Sequence, residues 1–140
     1  MTEPAGPSYT YEPEDSEFAF MEGGRSEARW TPSARWGNPV GNVHGGYLGV
    51  IVDDVAGAAL FSLVGASSPT VSLQIDYLHQ MPLGVTYTAR GEVVRAGKAT
   101  AIVDVHVYDP DEQLVARGKC FFQLPSAWRE RTLTKENHRD

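Results

Sequence analysis

NPVGNVHGGYLGVIVDDVAGAALFSL, residues 38–63, joins a glycine-rich turn to one long apolar helix, and the rest of the chain is organised around it. His44, Gly45 and Gly46 stand where a helix over residues 45–64 should begin, so unpaired backbone N–H groups and the positive end of the helix dipole face the mouth of the turn. Such a place stabilises an oxyanion. From Tyr47 to Val64 nearly every residue is apolar or small, which predicts a helix buried on most sides rather than along a single stripe. Asp53 and Asp54 interrupt it. A carboxylate inside a buried helix is costly unless something pairs with it or uses its charge, so the pair marks a candidate site.

A chain of 140 residues with 41% hydrophobic content fits one globular domain with a sizeable core. The net charge of −6 lacks the basic footprint of a phosphate-binding domain and argues against a nucleic-acid partner. Cys120 is the single cysteine and has no internal disulfide partner. The first residues, MTEPAGPSYTYEPEDSE, show neither a basic start nor an apolar run of signal-peptide length, so a cytoplasmic protein is expected. Gly57 and the aspartates break up the central apolar run, so no membrane span is expected either.

Residues 1–23 are rich in proline and acid and read as a poorly ordered tail, although Phe18, Phe20 and Met21 near its end alternate as a strand would. The body is expected over residues 24–124. A short strand around Ala28 and Trp30 precedes a loop punctuated by Pro32, Gly37, Pro39 and Gly41, in which Trp36 reads as packed. After a turn at 65–69, four runs alternate with period two, over residues 70–78, 85–96, 99–109 and 114–124. In the first, Val71, Leu73, Ile75 and Tyr77 share a face; in the third, Ala101, Val103, Val105 and Val107 do, with Asp104 and His106 opposite. Each apolar face needs a cover, and the helix is what the chain offers. The order of one strand, one helix and four strands predicts an α+β fold, an antiparallel sheet wrapped around one long central helix. Residues 125–140 read as a polar, mixed-charge tail.

Asn38-Pro-Val-Gly-Asn-Val-His44-Gly45-Gly46, with Asp53 nine positions after the histidine, closely resembles the hotdog-fold acyl-CoA thioesterases of the phenylacetate-pathway type, in the 4-hydroxybenzoyl-CoA thioesterase superfamily. That family carries Asn or Gln six residues before the His, an HGG turn, and Asp or Glu nine residues after it. The resemblance covers about residues 30–124 and extends to Thr70, at the start of a strand where the family holds a water, and to the glycine-basic turn Arg95-Ala-Gly97-Lys98. The family's amphipathic N-terminal helix is not visible in residues 1–29, and His79-Gln80-Met81 depart from its usual turn.

The resemblance implies an acyl-CoA thioesterase whose only nucleotide group is the CoA of its substrate, with no further cofactor and no metal. Asp53, Gly45, Asn38, His44 and Thr70 would form the catalytic set, and Gly46, Arg95, Gly97 and Lys98 would bind substrate. The chemistry is coherent: the Gly45 N–H polarises the thioester oxygen, glycine there allows close approach, and Asp53 acts as general base or nucleophile. Helical rise puts Asp53 about 13 Å from the His44 turn, too far to share one carbonyl, so two subunits are required. A homodimer or homotetramer follows.

Each residue also has a plainer role. Asp54, about 100° around the helix, competes with Asp53. His44 and Asn38 can simply order the loop, Thr70 can simply start its strand, and Arg95 with Lys98 can be a solvated hairpin tip. The four histidines lack metal-ligand spacing. Cys120 alternates with Gly118 and Phe122 and reads as a buried structural thiol. There is no G-x-S-x-G elbow, and GNVHGG lacks the ending of a phosphate loop. An idle hotdog module that binds acyl-CoA or an acyl carrier is the alternative function. A hydratase of the same fold would pair Asp and His about five residues apart, a spacing missing near this helix.

Overall fold

The structure, a computed structural model, describes residues 16–128. Strands β1 (Ser16–Glu22) and β2 (Arg25–Trp30) come first, then a 3-10 turn at Ala34–Trp36 and the helix α1 (Gly45–Val64). Strands β3 (Thr70–Tyr77), β4 (Tyr87–Ala96), β5 (Thr100–Tyr108) and β6 (Leu114–Gln123) follow. They form one antiparallel sheet in the order β1-β2-β4-β5-β6-β3, with α1 lying across it and touching every strand. This is the expected hotdog arrangement, with one strand more than the sequence suggested.

The extra strand lies inside the stretch assigned to the acidic tail. Gly23 and Gly24 both have positive φ, 59° and 84°, and make the two-residue turn that pairs Glu22 with Arg25. Glycine reaches such a turn without Cβ strain, and Gly-Gly between alternating runs is a hairpin signal. Residues 1–15, the rest of the proposed tail, lie outside the described residues, as do residues 129–140 of the C-terminal one. Trp128 still belongs to the body, its indole N–H donating to Gly97 O at 3.0 Å.

Two expectations about α1 change. Leu48, Ile51, Val52, Val55, Ala56, Ala59, Leu60 and Val64 are buried, which is one stripe at helical spacing and not most of the circumference. Tyr47, Phe61 and Leu63 are exposed, Phe61 by 51%, because the sheet covers one side of the helix only. By length and composition the helix could also cross a bilayer, contrary to the sequence reading; in the fold it is the core helix, its stripe packed on the sheet.

The expected alternation of buried and exposed residues holds on β5 and β6. On β3 the apolar face is left largely uncovered, with Val71, Leu73 and Tyr77 exposed, because β3 is an edge strand of the sheet. Ala101, Val103, Val105 and Val107 on β5, with Gly118, Cys120 and Phe122 on β6, point to the helix and are buried. Two glycines let α1 settle closely onto the sheet. A Cβ on Gly118 would collide with Val52 Cγ1, and one on Gly91 would lie 2.9 Å from Val55 O and 2.7 Å from Ser26 Oγ. Ser26, buried, donates to the same Val55 carbonyl at 2.6 Å. Burying a hydroxyl is tolerable when it is paired in this way.

Gly91→Ala should therefore destabilise the fold by about 1–3 kcal/mol through overpacking, read as a lower midpoint in urea at an unchanged slope. An unchanged midpoint would mean that α1 does not sit this close to β4.

Candidate functional site

The turn before α1 is tied at each residue. Asn38 Oδ1 accepts the N–H groups of Val40 and Asn42, both at 3.1 Å, and the Asn38 N–H donates to Asn42 O at 2.8 Å. The backbone N–H of His44 donates to Trp36 O at 2.7 Å, and that of Val43 to Met81 O at 2.8 Å. His44 is the helix N-cap, in extended backbone, and its Nδ1 accepts the Gly46 N–H at 3.0 Å. Neutral His44 thus carries its proton on Nε2. Its ring packs 5.2 Å from that of Tyr47, which meets Trp36 edge to face at 5.5 Å.

Capping divides the labour among the first helix donors. The Gly46 N–H is taken by His44, whereas the Gly45 N–H has no partner among the described residues. Tyr77, which sequence reasoning passed over, sits against Gly45 and donates its hydroxyl to Gly45 O at 2.6 Å. A Cβ at Gly45 would meet that ring at 3.2–3.4 Å, so glycine suits the position for packing as well as for ligand approach. Gly45 and Gly46 open into a cleft of about 660 Å³ that Asn38 and His44 also line, with Leu48, Tyr77 and Met81 as apolar walls.

Asp53 belongs to a different cavity. Thr70 donates its hydroxyl to Asp53 Oδ1 at 2.7 Å, which brings together two of the sequence candidates. Both line a space of about 280 Å³ with Asp54, Ser67 and Ser68. Asp54 therefore borders the same cavity, but the Thr70 hydroxyl bonds to Asp53. Gly45, Gly49 and Asp53 follow one another at intervals of four and run along β3, Gly49 against Leu73 and Ile75. Gly45 lies by Tyr77 and Asp53 by Thr70, at opposite ends of the strand. That four-residue spacing, which the sequence reading did not use, could have marked the helix face turned to β3.

Arg95, Gly97 and Lys98 occupy the β4–β5 hairpin, closed by the Gly97 N–H donating to Thr100 O at 2.9 Å. Register places the hairpin at the Thr70 end of the sheet, since Thr70 pairs with Phe122 and Phe122 with Ala101. Arg95 and Lys98 are exposed, away from the Gly45 cleft of their own protomer. Cys120 is fully buried, and burial first, then the charges of Asp53 and Asp104, pushes its thiol up to about 12. It stays protonated and unreactive at ordinary pH. Among the described residues, no group of three or more His, Cys, Asp or Glu is placed to hold a metal ion.

With this geometry in view, comparison with known families is decisive: the profile described as "Thioesterase superfamily" matches residues 40–116, more than half of the chain. The chain belongs to the thioesterase superfamily. No curated protein matches this member. Among solved structures, it is similar to a hypothetical thioesterase of Streptococcus pneumoniae TIGR4 crystallised with coenzyme A, at 28% identity over 80% of this chain and 87% of that one, with a TM-score of 0.77. The smu.793 protein of Streptococcus mutans UA159, bound to acetyl CoA, is 26% identical over 79% of this chain and 89% of its own, with a TM-score of 0.76. The PaaI protein of the E. coli phenylacetic acid degradation operon, 24% identical over 79% of both chains, shares the fold at a TM-score of 0.74.

The His44 cap predicts a specific pair of outcomes in this superfamily member. His44→Ala should lose about 1 kcal/mol of stability, whereas His44→Asn, whose side-chain oxygen caps as well, should lose little. Equal midpoints in urea for all three proteins would show that the Nδ1 contact contributes nothing.

Proposed function

We propose that this chain hydrolyses acyl-CoA thioesters to the free acid and CoA, in a site shared between two copies of the chain. The reading is carried by one observation: the unpartnered Gly45 N–H and the Asp53 carboxylate lie at opposite ends of β3. Eight residues of helix hold them about 12 Å apart, beyond the reach of one thioester. Strand β3 is the sheet's outer strand beside β6, and three of its apolar residues are exposed, Val71 by 66%, Tyr77 by 56% and Leu73 by 40%. An open apolar edge of this kind calls for a partner strand. A two-fold axis normal to the sheet at the middle of β3, through Leu73 or Gln74, would pair it antiparallel with its copy and bring the Thr70 end of one protomer beside the Tyr77 end of the other. Asp53 of each copy then approaches the Gly45 turn of the other.

In that arrangement the thioester oxygen accepts the Gly45 N–H, which stabilises the charge that grows on it as the carbonyl carbon becomes tetrahedral. Asp53 either takes a proton from the attacking water or attacks the carbon itself. Collapse breaks the C–S bond, and the CoA thiolate leaves with a proton. Asn38 and His44 hold the turn, the Gly46 N–H keeping the cap in place. Arg95 and Lys98, with Gly97 shaping their hairpin, would meet the CoA phosphates as the charged rim of an otherwise acidic protein. CoA and acetyl CoA in the two streptococcal neighbours support this ligand class. The assembly is a homodimer, or a homotetramer of such pairs, in the cytoplasm.

Asp53→Asn should lower kcat by at least about a hundredfold while acyl-CoA still binds, because an amide keeps the shape but takes up no proton. Asp54→Asn should stay within a few-fold of wild type. Thiol release, a binding titration and a melting curve on each variant check this. Reversed behaviour would assign the role to Asp54; binding without thiol release in the wild type would make the chain an idle acyl-CoA module.

A further inference from the structure

Trp128 lies beyond the family-matched residues 40–116 and outside both cavities of the candidate site. The fold nevertheless ties it down. Its indole N–H bonds to Gly97 O, and Gly97 closes the β4–β5 hairpin through its own N–H on Thr100 O. The ring packs half-buried against the core and lines a groove of about 350 Å³ together with Leu63, Val93, Val94 and Arg95. The groove exists because the β1–β2 hairpin stops short. Strand β2 pairs with β4 no further than Arg25 with Glu92, and β4 runs on to Ala96 with no strand beside it on that side among the described residues. Val94 is consequently 58% exposed and Leu63 41%.

Arg95 says what such a groove would take. Its guanidinium lies beside Gly97, where an added Cβ would stand 3.7 Å from Nε and 3.9 Å from Nη2. Arg25, Arg90 and Arg117 have carboxylate partners at 3.4, 2.8 and 2.9 Å, whereas Arg95 is exposed, with no ion pair or hydrogen bond among the described residues. An apolar groove with an indole on one side and an unpaired guanidinium beside it suits a flat heteroaromatic base joined to phosphate, the base stacking and the phosphate pairing with arginine. The position fits as well. The sheet order β4-β5-β6-β3 sets the strand of Arg95 three spacings, about 14 Å, from the strand where Thr70 meets Asp53, a span that an extended pantetheine arm covers. The groove lies further on, on the β2 side of β4. From this we propose that the groove is the adenosine subsite for CoA, with Trp128 as its specificity-determining residue. The thioester then sits at Asp53, the phosphates pass Arg95, and the base lies against Trp128.

The ligand class rests on the thioesterase reading above, while the subsite is tested by binding alone. Calorimetric titrations of full-length wild type, Trp128→Ala, Trp128→Phe and Val94→Ala compare CoA with 4′-phosphopantetheine, which shares the arm and its phosphate but lacks the adenosine. Wild type should bind CoA at least about tenfold more tightly than 4′-phosphopantetheine. Trp128→Ala should weaken CoA roughly tenfold and leave 4′-phosphopantetheine within about twofold, and Trp128→Phe, which keeps an aromatic ring, should recover most of the loss. Val94→Ala trims an exposed side chain and should weaken CoA alone by a few-fold, which decides the matter if melting curves show that Trp128→Ala does not fold. Equal losses on both ligands would make Trp128 a mere brace for the hairpin and overturn the assignment. Unchanged CoA binding in Trp128→Ala overturns it too, as does a wild type that binds both ligands equally because the chain beyond Trp128 fills the groove. Thiol release from acyl-CoA, measured on the same proteins, judges the reaction separately. A wild type that binds CoA selectively through Trp128 but releases no thiol overturns the thioesterase reading and supports the subsite.

Discussion

The close seating of α1 on the sheet is the interaction from which the other features follow. Val52 packs over Gly118 and Val55 over Gly91, and any larger residue at either glycine would lift the helix. Apolar burial along the stripe from Leu48 to Val64 drives this contact, while Ser26, bonded to Val55 O, settles the polar cost of bringing backbone and sheet together. Once seated, the helix is a ruler. It carries Gly45 at its first residue and Asp53 two turns on, each against its own end of β3. The two chemical groups thus inherit a separation that local flexibility cannot close.

Much of this was legible in the residues. The HGG turn, the apolar run to Val64 and the period-two alternation of the four later strands each have a short-range physical cause, and each led to the correct element. Thr70 entered the candidate set beside Asp53 through the resemblance, which spacing alone would not have supplied, and their hydrogen bond emerged only in the fold. The first strand was obscured by the acid-rich composition around it, which outweighed a Gly23-Gly24 turn signal in plain view. The burial of α1 was overestimated for a different reason. Composition reports that a face is apolar but not what covers it, and in a single protomer Tyr47 and Phe61 are left open. Tyr77 was placed on the correct strand face, yet its contact with Gly45 depends on a register between β3 and α1 that no local pattern encodes.

The surplus of exposed apolar surface and the division of the candidate site are one observation seen twice. Val71, Leu73 and Tyr77 line the open edge strand, and that strand also separates the two cavities. A second copy laid along β3 would cover the first and reunite the second. Selection for assembly and selection for chemistry then act on the same residues. In this account a protomer that folds well is still only half of a catalyst.

Subunit complementation tests that claim most directly. Gly45→Pro removes the proposed oxyanion donor while the helix can still begin there, because proline suits the first helical position and His44, at ψ 127°, already has the conformation that precedes proline. The added Cβ presses on Tyr77 at 3.2–3.4 Å, so a melting curve first shows that the variant folds. Asp53→Asn removes the carboxylate. Co-expressed with different tags and purified through both, the mixed dimer has one site with both groups intact and one with neither. The account predicts that each variant alone is inactive and that the mixed dimer recovers about half of the wild-type kcat per dimer. A mixed dimer as inactive as its parents would contradict it.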